Sequence, residues 1–464
     1  MVTTSRASGE DALPVKTDGE QRAVARRSVA AAAFGHAMEW YDFSVYAFFA
    51  GYIAHNFFRD GDATSALVST FVVFGAGFVT RPLGAVIGGS YADRIGRKAA
   101  LMLSIGAMGI GTLILAVTPS ATLIGAGAPI LLLIARLFQG FSTGGEIGGA
   151  AAFLVESAPA DRRALYSSWL QASMGISNLL AALVGFVITS VLPESAVQDW
   201  AWRIPFVLGL LIIPVGLYIR RRLPETEAFT ERGATAGAEG TAAPPAAATA
   251  GARGPLRTLL AEHRGTLGTA VLVSMLWTVC VYAFLIYLPT YYEQSGIGLG
   301  FTSRQAFLAS LLGNIVVIGG CLTAGRLADR VGTRPLLVGS ATAMIIVPMP
   351  CLMWLHAQPR LPVLLIVHAV LCATVSGFSG VVSAVLPRAF PVAVRSTGLS
   401  VSYNIAAVLF AGTTPVLMTW ATSDLTVYAP ALWVIIGSVC CLAALPALYR
   451  HVQRVEDQQG IPED

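Results

Sequence analysis

Five ionisable side chains lie inside segments that are otherwise apolar enough to cross a lipid bilayer. They are Glu39, Asp42, Arg81, Arg136 and Glu146. A charge at bilayer depth costs a few kcal/mol, so each of these groups requires a partner or a function. Carboxylates in such a place can carry a proton, and arginines can hold an anion. These residue types therefore indicate the binding and movement of charged solutes.

Glu39 and Asp42 are the candidates for proton exchange. They are three residues apart, so they project from nearly one face of a helix, with His36 one turn earlier on that stripe. Two carboxylates close together in a low dielectric favour a proton on at least one of them. We predict that this pair takes up a coupling proton. The alternative is a structural ion pair with an arginine that holds neighbouring helices together.

Arg81 is the strongest candidate for a contact with a substrate. Its planar fork of donors can bind a carboxylate through two hydrogen bonds and stays charged at any relevant pH. The alternative is a permanent pairing of Arg81 with an acid of the first span. Arg136, Gln139, Thr143 and Glu146 follow a helical spacing and form a polar stripe, which predicts a face on a cavity or a charged neighbour. Of these, Arg136 and Gln139 are predicted to bind the substrate together with Arg81.

Other polar residues at depth are expected to line a cavity between helices, although each alone is more often a packing or interface residue. The substrate-binding candidates among them are Tyr41, Gln171, Asn178, Tyr287, Tyr403 and Asn404. Trp277 and Tyr282 are plausible lining residues as well. A lone membrane histidine, His368, is expected to make a structural hydrogen bond between helices.

The composition fixes the environment in which these residues work. Of 464 residues, 55% are apolar and 12% are charged, and the mean hydropathy is +0.68. Soluble domains contain about 25% charged residues, so this composition excludes a soluble enzyme or a nucleic-acid binder. The two lysines, Lys16 and Lys98, do not follow a glycine, which excludes a GxxxxGK[ST] phosphate loop. The cysteines and histidines show no metal spacing, and we expect no metal, no cofactor and no enzymatic activity.

Apolar runs of about 20 residues, the length that spans a bilayer as a helix, recur along the chain. Twelve candidates lie near residues 29–54, 66–91, 99–118, 129–157, 164–192, 202–220, 265–290, 306–328, 335–355, 362–387, 397–421 and 429–449. The expected organisation is a disordered cytoplasmic tail, a six-helix bundle, a cytoplasmic linker rich in alanine and glycine, a second six-helix bundle and a short cytoplasmic tail. Their bounds are 1–27, 28–220, 221–264, 265–450 and 451–464.

Arginine placement predicts the orientation in the membrane. Most arginines fall on the side that holds both termini, whereas the opposite side has only Arg59, Arg304 and Arg360. Positive charge stays in the cytoplasm, so we expect both termini and the linker to be cytoplasmic.

The two halves of the chain also repeat each other. Gly89-Ser-Tyr-Ala-Asp93-Arg94-Ile-Gly96-Arg97-Lys98 follows the second span, and Gly325-Arg-Leu-Ala-Asp329-Arg330-Val-Gly332-Thr333-Arg334 follows the eighth. Two facing copies of a six-helix unit are expected to place a solute site at their interface, near the middle of the membrane.

These segments resemble the major facilitator superfamily, whose loop signature between spans two and three is GxxADRxGRK. Three further segments are similar to the metabolite:proton symporter family: Glu39-Trp40-Tyr41-Asp42-Phe43, Arg81-Pro82-Leu83-Gly84 and Arg136-Leu-Phe-Gln139-Gly140 with Gly144-Gly145-Glu146. The resemblance covers Ser28 to Arg450. It implies an all-α membrane protein of twelve transmembrane helices in two pseudo-symmetric six-helix bundles.

The loop signature also implies a gate. A carboxylate at the end of a span can accept hydrogen bonds from the N-terminus of a neighbouring helix and pair with an arginine, and such a clasp would hold the cytoplasmic side closed. The candidate gating residues are Asp93, Arg94, Gly96, Arg97, Glu146, Glu156, Arg163, Asp329 and Arg330. The second copy departs from the first at Thr333, and Arg388 stands where many relatives carry an acid. Both departures argue against a symmetric charge relay.

Relatives of this family import small carboxylates or zwitterionic osmolytes in bacteria. We therefore predict a proton-coupled secondary transporter in the cytoplasmic membrane that imports a small di- or tricarboxylate, such as 2-oxoglutarate or citrate, by alternating access. The expected partners are this substrate, the proton and the bilayer, with no nucleic acid, and the expected state is a monomer. The alternative is a symporter of proline or betaine. Drug or metabolite efflux is a third and weaker option.

Overall fold

A computed structural model describes residues 33, 36–58, 62–87, 97–144, 154, 158–221 and 255–459. Five of the gating candidates, Asp93, Arg94, Gly96, Glu146 and Glu156, therefore lie outside the described residues, and Arg97 is described only as a helical residue. The N-terminal tail, residues 222–254 of the linker and the last five residues lie outside them too. The predicted domain bounds stay a prediction.

The described residues contain helices and no strand. Six long helices precede the linker in the described part of the chain: α1 (36–57, with a turn at Phe49), α2 (Ala63–Ile87), α3 (Arg97–Val117), α4 (Gly127–Thr143), α5 (Arg163–Val191) and α6 (Ile204–Arg221). Six follow it: α7 (Arg264–Glu293), α8 (Ser303–Val331), α9 (Thr333–Ala357), α10 (Leu361–Ala389), α11 (Val392–Asp424) and α12 (Ala429–Gln459). Short helices lie between the long ones at Ala121–Ile124, Glu194–Asp199 and Pro255–Glu262. The predicted all-α fold of twelve helices is confirmed, although its predicted span ends differ by several residues.

Local signals in the sequence explain where several helices begin. The Asp62 side chain accepts a hydrogen bond from the backbone N–H of Ser65 at 2.8 Å and caps α2. Thr302 and Gln305 form a reciprocal capping box at the start of α8. Within the described ranges, eight helices are long and apolar enough to cross a membrane. The caps determine where α2 and α8 begin. The lengths of the helices match the thickness of a bilayer.

The helices α2 and α4 approach so closely that their backbones touch. A Cβ atom built on Gly140 would overlap the carbonyl oxygen of Gly77, and one built on Gly144 would overlap that of Arg81. Small residues spaced by four allow this approach in membranes, as the sequence predicts. The contact fixes the backbone of Arg81 directly against α4.

The two halves contact each other at both ends of the bundle. Towards the end of α8, the Gly325 position lies against Ala164 and Ser168 of α5. At the opposite end, Phe307 of α8 packs on Phe48 and Phe49 of α1, with ring centroids 6.4 and 5.3 Å apart. We call these three rings the aromatic closure.

Two helices of the second half contain π-helical turns. These turns are Val281–Tyr287 in α7 and Ala407–Ala411 in α11. A π turn inserts one extra residue into a helix and is frequently found at functional sites. Both turns lie beside the interface between the halves, so this interface is the first place to look for a functional site.

Candidate functional site

A small cavity lies between the halves. Its lining comes from α1 and α5 of the first half and from α7 and α11 of the second. The lining residues are His36, Trp40, Leu170, Gln171, Met174, Trp277, Thr278, Val281, Tyr282 and Tyr403. This position, at the interface of two six-helix units, is the one that the repeat predicts for a solute site.

Arg81 lies next to this cavity and is 2% exposed. Its guanidinium carbon is 4.3 Å from the ring centroid of Phe78 and 4.9 Å from that of Phe43. The hydroxyls of Tyr282 and Tyr403, both cavity residues, lie close to the guanidinium. Its Nε and Nη1 atoms make no hydrogen bond within the described part of the chain.

These unused donors matter because a buried donor without a partner costs about 1–3 kcal/mol or more. Among the described residues, Arg81 forms no ion pair with an acid of α1. Within the described residues, two donor atoms of this guanidinium are therefore left without a partner.

Arg136 occupies a different environment. Its guanidinium lies among the rings of Phe43, Tyr46 and Phe74, at 4.4, 4.6 and 4.7 Å. It donates to the side-chain oxygen of Gln139 at 2.6 Å and is fully buried. The structure thus places Arg136 and Gln139 in the interior of the first half and not in the cavity lining.

Asp42 connects to Arg136 through a chain of hydrogen bonds. Thr112 of α3 donates to Oδ2 of Asp42 at 2.7 Å, and the Gln139 amide donates to the Thr112 hydroxyl at 3.2 Å. Gly209 of α6 leaves room for the other carboxyl oxygen, since a Cβ there would lie 2.7 Å from it. Asp42 therefore faces α3 and α6, and Thr112 is a partner that the sequence analysis missed.

Two other α1 candidates also lie away from the cavity lining. Glu39 is buried. The Tyr41 hydroxyl donates to the backbone oxygen of Pro205 at 3.1 Å, which fixes α1 against α6.

Two of the predicted substrate contacts line the cavity. The Trp277 indole N–H donates to the Gln171 side-chain oxygen at 2.9 Å across the two halves. The rings of Trp277 and Tyr403 meet edge to face, 5.1 Å apart. Gln171 and Tyr403 thus hold one wall of the cavity together with Trp277.

The other three predicted contacts lie outside the lining. Asn178 accepts a hydrogen bond from Ser44 of α1. The Tyr287 hydroxyl lies 3.0 Å from that of Thr422, and the Asn404 amide donates to the backbone oxygen of Gly144 at 3.2 Å. These side chains connect helices, and the last of them connects the two halves.

The gating candidates of the second half, Asp329 and Arg330, lie at the end of the bundle where α8 and α12 end. Asp329 accepts hydrogen bonds from the backbone N–H groups of Ala164 at 2.8 Å and Leu165 at 3.0 Å, at the start of α5. Arg163 begins α5 and is half-buried, and Arg330 is exposed. The Asp329 contact has the geometry expected of a carboxylate on a helix N-terminus.

Two more expectations from the sequence can be placed. His368 accepts or donates a hydrogen bond with the Tyr292 hydroxyl at 2.9 Å, the structural contact between helices that was expected. Arg388, the departure from the family pattern, pairs with Glu456 of α12 at 2.6 Å. Arg388 thus binds within its own half.

His36 and Trp40 line the cavity although sequence reasoning did not assign them to a substrate site. They are four residues apart and share a helix face, which is the signal that could have found them. The face only becomes a cavity wall because α5 and α7 pack opposite it, and a single sequence does not show that.

Two six-helix halves with a cavity between them are the architecture of many secondary transporters. A sequence model of the Major Facilitator Superfamily matches residues 32–380, and the chain belongs to this superfamily. The predicted resemblance to its metabolite:proton symporters is confirmed. The protein is a proton-coupled symporter and a multi-pass membrane protein.

Similar proteins support this assignment. The Citrate-proton symporter of Salmonella typhi is 34% identical over 423 residues, which is 90% of this chain and 93% of the relative. The Proline/betaine transporter of Escherichia coli (strain K12) is 31% identical over 424 residues, 89% of this chain and 81% of the relative. Among solved structures, the proton:xylose symporter XylE bound to 6-bromo-6-deoxy-D-glucose has a TM-score of 0.73 at 18% identity, covering 93% and 96% of the two chains, which concerns the fold alone.

Proposed function

We propose that this protein imports a small di- or tricarboxylate with protons, and that Arg81 holds one carboxylate in the central cavity. The observation that carries the proposal is the buried Arg81 guanidinium with unused donors beside the cavity. The planar guanidinium of Arg81 can donate two parallel hydrogen bonds to a carboxylate. The surrounding rings exclude water, which strengthens these hydrogen bonds. The similarity to a citrate-proton symporter supports the same substrate class.

Asp42, with Glu39, carries the coupling proton in this proposal. The Asp42 carboxyl is 3% exposed and one of its oxygens has no hydrogen-bond partner among the described residues. Its chain of hydrogen bonds through Thr112 and Gln139 ends at Arg136. A proton on Asp42 removes the negative charge at the other end of this hydrogen-bond chain from Arg136. Protonation of Asp42 is therefore linked to the packing of α1, α3 and α4.

The test of the proposed function is uptake into liposomes that contain the purified full-length chain. We expect labelled citrate or 2-oxoglutarate to accumulate when an inward proton gradient is imposed, and an uncoupler to abolish the accumulation. Protein-free liposomes provide the control. Uptake that ignores the gradient would contradict proton coupling, and a channel would show no accelerated exchange with unlabelled substrate inside.

A second candidate function is the import of a zwitterionic osmolyte such as betaine or proline. The observation that favours it is the aromatic character of the lining, where the rings of Trp40 and Tyr282 lie 6.0 Å apart. Aromatic faces attract a quaternary ammonium group, while Arg81 would hold the carboxylate of the same molecule. Gradient-driven uptake of betaine without any uptake of citrate would establish this alternative.

We infer that the termini and the linker face the cytoplasm of a bacterial cell, because the arginines concentrate on that side. The proposed working unit is a monomer that moves its solute unchanged and performs no covalent catalysis. Alternating access then requires that the halves separate first on one face and then on the other.

Asp329 is proposed to keep the termini face closed. Asp329→Asn removes the charge that faces the start of α5, and a charge of this kind contributes about 0.5–2 kcal/mol. We expect this face to open more often, so that a membrane-impermeant thiol reagent reacts about fivefold faster with a Ser167→Cys reporter. Ser167 is fully buried where α10 contacts α5.

The matched control is Asp457→Asn, because Asp457 is exposed on the same membrane face. Protein without the reporter cysteine gives the background from the native cysteines. Equal reaction rates with and without the Asp329 substitution would show that this carboxylate does not hold the gate.

A further inference from the structure

His36 of α1 uses both nitrogens of its ring. The Trp40 indole N–H donates to Nε2 at 2.8 Å, and Nδ1 lies 3.0 Å from the Ser173 hydroxyl oxygen. The Ser173 hydroxyl itself donates to the backbone oxygen of Leu170 at 2.7 Å. An indole N–H can only donate, so Nε2 carries no proton and Nδ1 carries one. The arrangement therefore selects the neutral imidazole.

The ring lies where it can act on a solute. His36 and Trp40 are both part of the cavity lining, and Trp40 packs on Tyr282, whose hydroxyl lies close to Arg81. The cavity thus has a permanent cation next to α7 and a titratable imidazole on α1.

Among the described residues, the ionisable groups that line the cavity with His36 are Tyr282 of α7 and Tyr403 of α11. Glu39 follows on the same helix, and Arg81 of α2 lies close to both tyrosines. The α5 residues that face the imidazole, Gln171 and Ser173, are uncharged.

We infer that His36 is a specificity-determining residue that binds the second carboxylate of the substrate when it takes up a proton from water. The inference rests on the proposed function. A proton on Nε2 removes the acceptor for the Trp40 N–H, so the indole must turn away. The imidazolium then presents an N–H donor and a positive charge to the cavity.

The substrate class follows from the protonation state. With neutral His36, the cavity offers one cation, Arg81, which suits a single carboxylate. With protonated His36, it offers two cations, which suits a di- or tricarboxylate. Because binding of the second carboxylate favours the protonated ring, and the protonated ring favours that carboxylate, proton and substrate affinities are coupled reciprocally.

The test compares His36→Gln with the wild type in liposomes. Gln retains an acceptor for Trp40 but takes up no proton. We measure exchange of labelled citrate and of labelled betaine from acidic to alkaline pH. We expect wild-type citrate exchange to rise as pH falls, and the variant to lose this rise and about tenfold of its citrate exchange at acidic pH. Because betaine carries one carboxylate, we expect the variant to lose more citrate exchange than betaine exchange wherever the wild type exchanges both.

The matched control is His55→Gln, because His55 lies on the same helix and is exposed. It should keep the wild-type pH profile. A second variant, Trp40→Phe, keeps an aromatic ring against Tyr282 but removes the N–H donor that favours the neutral imidazole. We expect it to shift the acidic rise of citrate exchange towards higher pH, a change that a merely structural role would not produce.

The outcomes distinguish the proposed role of His36 from the proposed transport function. If the wild type exchanges citrate and both variants keep its pH profile, the role of His36 is wrong and the proposed function stands. If the His36→Gln protein does not fold, the Trp40→Phe profile decides in the same way. If the wild type exchanges no carboxylate at any pH, the proposed function itself is overturned.

Discussion

Replacing Arg81 with lysine is expected to reduce gradient-driven citrate uptake about 100-fold, although the positive charge is retained. Lysine lacks the planar fork, so it offers a carboxylate no parallel pair of hydrogen bonds. It also lacks the flat guanidinium that lies over the rings of Phe43 and Phe78. The measurement is the initial uptake rate in liposomes over a range of citrate concentrations.

The control for this experiment is Arg360→Lys, because Arg360 is an exposed arginine at the start of α10. It should transport like the wild type. If Arg81→Lys transported citrate as well as this control does, Arg81 would be a packing residue and the carboxylate would be held elsewhere.

Asp42→Asn is expected to abolish accumulation of the substrate against its gradient. Asparagine keeps an oxygen that accepts from Thr112, so the hydrogen bond at 2.7 Å can persist, but its amide takes up no proton. Exchange of labelled for unlabelled substrate moves no net charge and needs no net proton transfer. We therefore expect the exchange to survive while the ratio of internal to external substrate falls to about one under a proton gradient.

Asp424→Asn serves as the matched control, since Asp424 is exposed at the end of α11. It should accumulate substrate normally. Continued accumulation by the Asp42 variant would assign the coupling proton to another group, and Glu39→Gln would then be measured in the same way.

Much of the fold could be predicted from the sequence because the signals are strong and local. The apolar runs exceed the thickness of a bilayer, and glycines at Gly140 and Gly144 predict the close helix contact that is observed. The choice of Arg81 as a substrate contact rested on an arginine at depth and on the resemblance of Arg81-Pro82-Leu83-Gly84 to the symporter family. The burial of a residue such as Arg81 can be predicted because it depends mainly on the residue itself and on the helix that carries it.

The sequence could not show towards which neighbour a polar residue points. The stripe with Arg136 and Gln139 predicts a face on a cavity or a charged neighbour, and it meets a cage of rings from α1 and α2. Helical spacing defines a face but not the helix that packs on it. The same limit applies to His36, whose partner Ser173 is 137 residues away along the chain.

The aromatic closure has a consequence for energy conservation. Phe48, Phe49 and Phe307 offer neither donors nor acceptors, and a constriction lined by such rings dries when it shuts. Protons cross proteins along threads of hydrogen-bonded water, and a dry plug interrupts the thread. A carrier that closes one side with such rings does not leak protons while no substrate is bound. The proton gradient that drives transport is therefore not dissipated.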